Sequence, residues 1–151
     1  MEQPHDAHPT PNPGHSRPSR PFCPSQLLDE LTARYLPALA DEEGLPREEI
    51  TLGLAKGSMV LLANPAHANV QPTLVGQPAR IKVNANLGTS PLTCHPDMEV
   101  AKLTAAMDAK ADTVMDLSTA GDISAFRLRM LETCPLPLGT VPIYAVAQKY
   151  L

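Results

Sequence analysis

Alternating polar side chains give this chain its first candidate for ligand chemistry. Lys82, Asn84 and Asn86 alternate with apolar residues, a period of two that predicts a β-strand with one polar face. An asparagine amide offers both a donor and an acceptor to a polar ligand. Two interpretations stay open, because the polar face is either exposed on an edge strand or lines a polar cavity inside a barrel.

Three aspartates are candidates for acid–base chemistry. Asp112 and Asp122 lie next to predicted strands or helices, and Asp116 lies within the predicted strand 113–118. Carboxylates at such positions cap helices or accept hydrogen bonds from loop N–H groups, and these roles explain all three more simply. We therefore assign no catalytic residue.

Cysteine and histidine spacing does not predict a metal site. Cys23, Cys94 and Cys134 are far apart and odd in number, which fits reduced thiols rather than a disulfide framework or a metal knuckle. Three histidines lie close together in a proline-rich segment that fixes no coordination geometry: His5, His8 and His15.

Composition argues against nucleic-acid and membrane partners. The net charge is -4, and the chain has no Trp and only two Phe, so it lacks the basic surface and the stacking aromatics of a nucleic-acid binder. The longest clearly apolar run, 59–63, is far shorter than a membrane span, and residues 1–24 contain no signal-peptide core. We expect a cytoplasmic protein.

Proline content separates a tail from a small N-terminal domain. Residues 1–24 hold seven of the 17 prolines and should be disordered. Residues 25–78 predict a helix capped by Ser25, a second helix from Pro46 to Gly57, and a strand over 59–63. The acidic run 41–43 is interpreted as a solvated turn.

The remaining residues, 79–151, alternate between strands and helices. Strands are predicted over 81–86, 113–118 and 138–144, and helices over 98–109 and 123–133. Strands joined by helices of this length lie parallel with right-handed crossovers, so the sequence predicts an α/β fold.

Three blocks in this region carry a resemblance to a known family. The runs 82–90 (KVNANLGTS), 111–119 (ADTVMDLST) and 139–144 (GTVPIY), in this order, resemble signature blocks of the phosphomethylpyrimidine synthase family. The stretches 54–57 and 62–64 are also similar. The resemblance covers about residues 50–144 and departs from the family pattern at Lys110 and Ala120, where glycine is usual.

The resemblance implies a (β/α)8 barrel, of which residues 79–151 would form the first three strands after a small N-terminal segment. It also implies substrate contacts at Asn86, Met115 and Tyr144, which are spaced 29 and 29 residues apart. Members convert aminoimidazole ribotide and S-adenosylmethionine into hydroxymethylpyrimidine phosphate, a radical carbon–carbon lyase reaction of thiamine biosynthesis that uses a [4Fe–4S] cluster. The family also binds zinc, and the family's ligands for cluster and zinc are absent from this sequence.

Several hypotheses follow for a chain with room for three of the eight strands. It is a truncated synthase that is inactive alone, or a non-catalytic module that binds ribotide or a partner chain carrying the remaining strands. A homodimer is a further arrangement. A third hypothesis is that the sequence is part of a related synthase that makes hydroxybenzimidazole from the same ribotide.

Overall fold

The computed structural model describes residues 24–150, with side chains from Leu28 onward. The predicted tail lies outside these residues except for Pro24. The three clustered histidines and Cys23 lie outside them as well.

The first part of the described chain packs two helices against a two-stranded sheet. Helix α1 (Pro24–Glu43) and helix α2 (Arg47–Lys56) precede strand β1 (Val60–Leu62), which pairs antiparallel with strand β2 (Thr73–Val75). Helix α2 follows Pro46 and ends at Gly57, whose φ of 71° is the left-handed conformation that glycine adopts without strain. The buried centre of this part consists of Leu39, Ala40, Ile50, Met59 and Leu74.

Helix α1 runs further than the sequence predicted. It begins at Pro24, so Ser25 is not its cap, and it continues through Pro37 to Glu43. The interpretation of 41–43 as a turn is wrong, because all three residues belong to α1, and Glu43 is not solvated either, since its side chain is only 1% exposed. Its carboxylate is compensated by a cation, since Lys82 Nζ lies 2.7 Å from Glu43 Oε1.

The second part is a parallel α/β unit. Strands β3 (Asn84–Leu87), β4 (Thr113–Asp116) and β5 (Leu138–Thr140) form one parallel sheet in the order β3-β4-β5. Helix α3 (Pro96–Asp108) connects the first pair and helix α4 (Ile123–Thr133) the second, and helix α5 (Pro142–Tyr150) follows. The α/β class and the parallel strand order are confirmed.

Helices α3 and α4 cover one face of this sheet. Leu87 and Val114 point into a core with Leu103 of α3 and with Phe126 and Met130 of α4, all at most 5% exposed. Asp122 accepts a hydrogen bond from Ala125 N–H and caps α4, as the sequence predicted.

All three parallel strands differ from the prediction at a boundary, and the second ends at Asp116 rather than at residue 118. The third strand ends at Thr140, because Pro142 begins α5, where a missing N–H costs nothing. Tyr144 therefore lies on a helix. The first strand begins at Asn84, while Ile81 and Val83 precede it with 94% and 61% of their surface exposed.

No helix within residues 24–150 combines the length and the apolar character that crossing a bilayer requires.

Candidate functional site

The face of the sheet opposite α3 and α4 carries both asparagines of β3 and Thr113 of β4. Asn86 on β3, Met115 on β4 and Gly139 on β5 are register partners across the three strands. Side chains at paired positions of a sheet lie on the same face, and those two residues apart on one strand share it too. Asn84 and Thr113 therefore belong to this surface, which we call the polar face: Asn84, Asn86, Thr113, Met115 and Gly139.

Hydrogen bonds link three side chains of the polar face. Thr113 Oγ1 donates to Asn84 Oδ1 over 2.8 Å, and Asn84 Nδ2 donates to Asn86 Oδ1 over 2.9 Å. Both asparagines are exposed, whereas Thr113 is buried. The two amides are therefore accessible to a ligand, while the buried Thr113 hydroxyl is bonded to Asn84 and fixes its side chain.

A cleft of about 270 Å³ runs along the polar face. Three segments and Asn84 line it: 62–64, 113–115 and 137–139. The segment 62–64, which begins with the last residue of β1, lines this cleft from the side opposite the sheet. Asn86 is not among the lining residues but is joined to them by its bond to Asn84. Of the two interpretations of the alternating run, the edge strand is confirmed, since β3 has a strand partner on one side only in the described structure; the cavity inside a barrel stays a prediction.

Met115 lies over the backbone of the neighbouring strand. A Cβ placed on Gly139 would be 2.8 Å from Met115 Cε and 3.0 Å from Met115 Sδ. Glycine at 139 thus leaves room for the thioether, which is a flexible and polarizable surface for a flat ring.

The structure brings two of the three sequence-predicted contact residues together. Asn86 and Met115 are direct register partners on adjacent strands. Tyr144 lies in the first turn of α5, four residues after Thr140 ends β5, and 39% of it is exposed. Asn86 and Met115 lie within their strands, one residue before the last, whereas Tyr144 lies on the helix that follows β5.

The three aspartates make structural contacts. Asp116 is fully buried and accepts hydrogen bonds from Arg127 Nε over 2.6 Å and from Ser118 N–H over 2.9 Å. Asp122 is the cap of α4. None of the three lines the cleft on the polar face.

Asp112 is held by an arginine and a backbone amide. Arg80 Nη2 and, over 2.7 Å, the Val83 N–H donate to its two carboxylate oxygens. Burial raises the pKa of Asp112, but these hydrogen bonds and the positive charges of Arg80 and Lys82 outweigh it, so the pKa lies below its ordinary value.

A second, larger cleft lies where the strands begin. It measures about 450 Å³ and is lined by charged residues that include Glu42, Arg80, Lys110 and Asp112. Its charges are paired with one another at Arg80, Glu42 and Asp112. We favour the smaller cleft as the candidate site, since parallel α/β folds bind ligands toward the carboxyl ends of their strands.

The described residues do not fit an iron–sulfur cluster or a zinc ion. Between residues 24 and 150 no group of three or more His, Cys, Asp or Glu side chains is placed to hold a metal. Cys94 is exposed, while Cys134 is buried in the core against α4. The closely spaced cysteine thiolates that a cluster requires are not found in this part of the chain.

Fold and site define an α/β protein whose parallel sheet buries one face under helices and presents the other to a cleft. A sequence model described as the Radical SAM ThiC family matches residues 28–151. Since this match covers most of the chain, the chain belongs to the radical SAM ThiC family.

Curated relatives share the name phosphomethylpyrimidine synthase. The protein of Methanopyrus kandleri is 47% identical over 113 residues, which is 72% of this chain and 26% of the relative. That of Desulforudis audaxviator is 47% identical over 109 residues, 72% of this chain and 25% of the relative. A Thermoanaerobacter protein is 42% identical over 120 residues, 80% of this chain and 28% of the relative. The chain thus spans about a quarter of the length of the curated relatives it matches.

Proposed function

We propose that this chain carries the first part of the substrate pocket of a phosphomethylpyrimidine synthase, and that the pocket takes aminoimidazole ribotide for thiamine biosynthesis. The observation that carries the proposal is the pairing of Asn86 with Met115 on adjacent parallel strands, beside a cleft, in a chain of this family. An amide next to a thioether suits a heterocycle that is both polar and flat.

Each of the three proposed contact residues has its own role. The Asn86 amide hydrogen-bonds the ribotide, and the Met115 side chain packs against the imidazole ring. Tyr144 adds a ring and a hydroxyl from the start of α5. Its 39% exposure is compatible with a ligand contact, because a buried ring would be closed to one.

We further propose that the three parallel strands begin a (β/α)8 barrel, with a small N-terminal domain at 25–78 and barrel residues at 79–151. Both outer strands of the sheet, β3 and β5, have one edge without a strand partner in the described structure, which leaves room for further strands on either side. Closing the barrel would turn the polar face inward.

The radical carbon–carbon lyase step needs a cluster and S-adenosylmethionine, which supply the radical. We propose that residues outside 24–150 hold both, together with zinc, because the described residues hold no suitable ligand group. These 151 residues alone would then bind ribotide without turning it over. Product formation by the purified chain, supplied with iron, sulfide, S-adenosylmethionine and reductant, would contradict this.

The second candidate function is a non-catalytic subunit that pairs with another chain. The observation in its favour is apolar surface on α5, where Ile143, Val146 and Tyr150 are 68%, 54% and 77% exposed. A partner carrying the missing strands would cover this surface, and so would a second copy in a homodimer. Analysis of the product made by the complete assembly would separate a thiamine synthase from a hydroxybenzimidazole synthase, which would use the same ribotide contacts.

Calorimetric titration of the chain with aminoimidazole ribotide tests the proposed function. We expect Asn86→Ala to weaken binding about five- to tenfold, the loss of one hydrogen bond of about 1 kcal/mol. Asn69→Ala is the matched control, because Asn69 is an exposed amide in the loop between β1 and β2. Equal affinities of the two variants would reject Asn86 as a contact.

A further inference from the structure

Two consecutive side-chain hydrogen bonds connect Thr113 on β4 to Asn86 on β3. The Thr113 hydroxyl donates to Asn84 Oδ1, and Asn84 Nδ2 donates to Asn86 Oδ1. A side-chain amide has a distinct donor end and acceptor end, so the two bonds run in one direction. The acceptor end of Asn86 faces Asn84, and its NH2 group is turned away.

The Thr113 end of this series of hydrogen bonds is fixed by the fold. Asn84 and Thr113 are register partners at the start of the parallel pair, and Thr113 is only 9% exposed. The terminal torsion of an exposed asparagine has two broad orientations that differ little in energy. Without a partner, Asn86 would therefore offer its oxygen and its NH2 group to a ligand about equally.

We propose that Thr113 and Asn84 are positioning residues that hold Asn86 with its NH2 group toward the ligand. The ligand must then place a hydrogen-bond acceptor there. This proposal rests on the proposed function, in which Asn86 contacts the ribotide. The acceptors of such a ligand are its imidazole ring nitrogen and the oxygens of its ribose and phosphate.

Solvent exchange of side-chain amide protons measures the orientation directly, without a ligand. In the full chain labelled with 15N-asparagine, we expect the Asn84 NH2 proton that bonds Asn86 to exchange about three- to tenfold more slowly than the Asn86 NH2 protons. Equal exchange at the two residues, or slower exchange at Asn86, would overturn the proposal.

Variants at Thr113 test where the direction comes from. Thr113→Val keeps the shape of a buried side chain and removes the hydroxyl, so the slow exchange at Asn84 should be lost. Thr113→Ser retains the hydroxyl and should restore it. Backbone spectra show whether each variant is folded, and slow exchange retained in a folded Thr113→Val variant would contradict the role of Thr113.

Asn84→Asp reverses the direction. A carboxylate accepts from Thr113 and from Asn86 but donates to neither, so the Asn86 NH2 group should turn inward and become the protected amide. Ribotide affinity should then fall about as far as in Asn86→Ala. Unchanged affinity in Asn84→Asp, where Asn86→Ala does weaken binding, would overturn the positioning role and leave the proposed function intact.

Failure of the proposed function has a different signature. If Asn86→Ala leaves ribotide affinity unchanged, Asn86 is not a contact and the ligand part of the proposal falls with it. The exchange pattern still decides the orientation of the Asn86 amide in that case.

Discussion

The two cysteines of the described residues lie in opposite environments. Cys94 is exposed, whereas Cys134 is 1% exposed, and burial raises the pKa of its thiol. Because the thiolate is the reactive form, Cys134 should react slowly even at mildly alkaline pH.

We predict that iodoacetamide at about pH 8 modifies Cys94 and spares Cys134 in the folded chain, as measured by peptide mass spectrometry. In denaturant, both should react at similar rates. Modification of Cys134 in the folded chain as fast as that of Cys94 would contradict the core position of this thiol.

We expect the Asp112 carboxylate to stabilise the fold at neutral pH and to lose this effect in acid. Its folded pKa is below its unfolded value of about 3.9, so the charged form is favoured by folding. The contribution is fully present above about pH 4 and disappears as the pH falls through the folded pKa. Asp112→Asn, which removes the charge, should lower the free energy of unfolding by about 1–3 kcal/mol at pH 7.

Urea unfolding at pH 7 and at about pH 2.5 measures this difference. The difference in the free energy of unfolding between the wild type and Asp112→Asn should be smaller in acid, because the wild-type carboxyl is then neutral too. A gap of the same size at both pH values would show that the Arg80 interaction does not stabilise the fold.

At the scale of elements, the end of α3 carries a local strain. Lys110 has a φ of 60°, the left-handed conformation, and Ala111 N–H donates to Ala106 O across the helix end. The sequence indicated this feature, because glycine is usual at 110 in the family that the chain resembles. Lysine adopts this conformation at a cost that glycine avoids.

Lys110→Gly should therefore raise the free energy of unfolding by about 0.5–1 kcal/mol, as measured in urea. Ala109→Gly is the matched control, because Ala109 has an ordinary φ of -78° and glycine there should destabilise. Destabilisation by both substitutions would show that residue 110 carries no such strain.

Periodicity and capping predicted the long elements of the fold. Helices α2, α3 and α4 and the parallel alternation follow from apolar spacing, Pro46 and Asp122. Strand β2 was not predicted, because its three residues lie between Pro72 and Gly76, which are typical of loops and turns. The continuation of α1 beyond Pro37 depends on burial of Leu39 and Ala40, tertiary contacts that outweigh local propensity.

At the scale of the whole molecule, the candidate site combines residues distant in sequence. The separation of 29 residues between Asn86 and Met115 fits equivalent positions on successive strands, and their register confirms that they are neighbours. Their roles as substrate contacts stay a prediction, as does that of Tyr144. The segment 62–64 could not be placed opposite the polar face from sequence, since its position depends on how the two parts of the chain pack.

The most direct test of the account maps where aminoimidazole ribotide binds. The measurement is a titration of the labelled chain followed in 1H–15N and methyl spectra. We predict that the largest chemical-shift changes occur at the Asn86 side-chain amide and the Met115 methyl group, with smaller changes near Tyr144. Changes centred on Arg80 and Lys110, at the opposite cleft, or the absence of any change at millimolar ribotide, would contradict it.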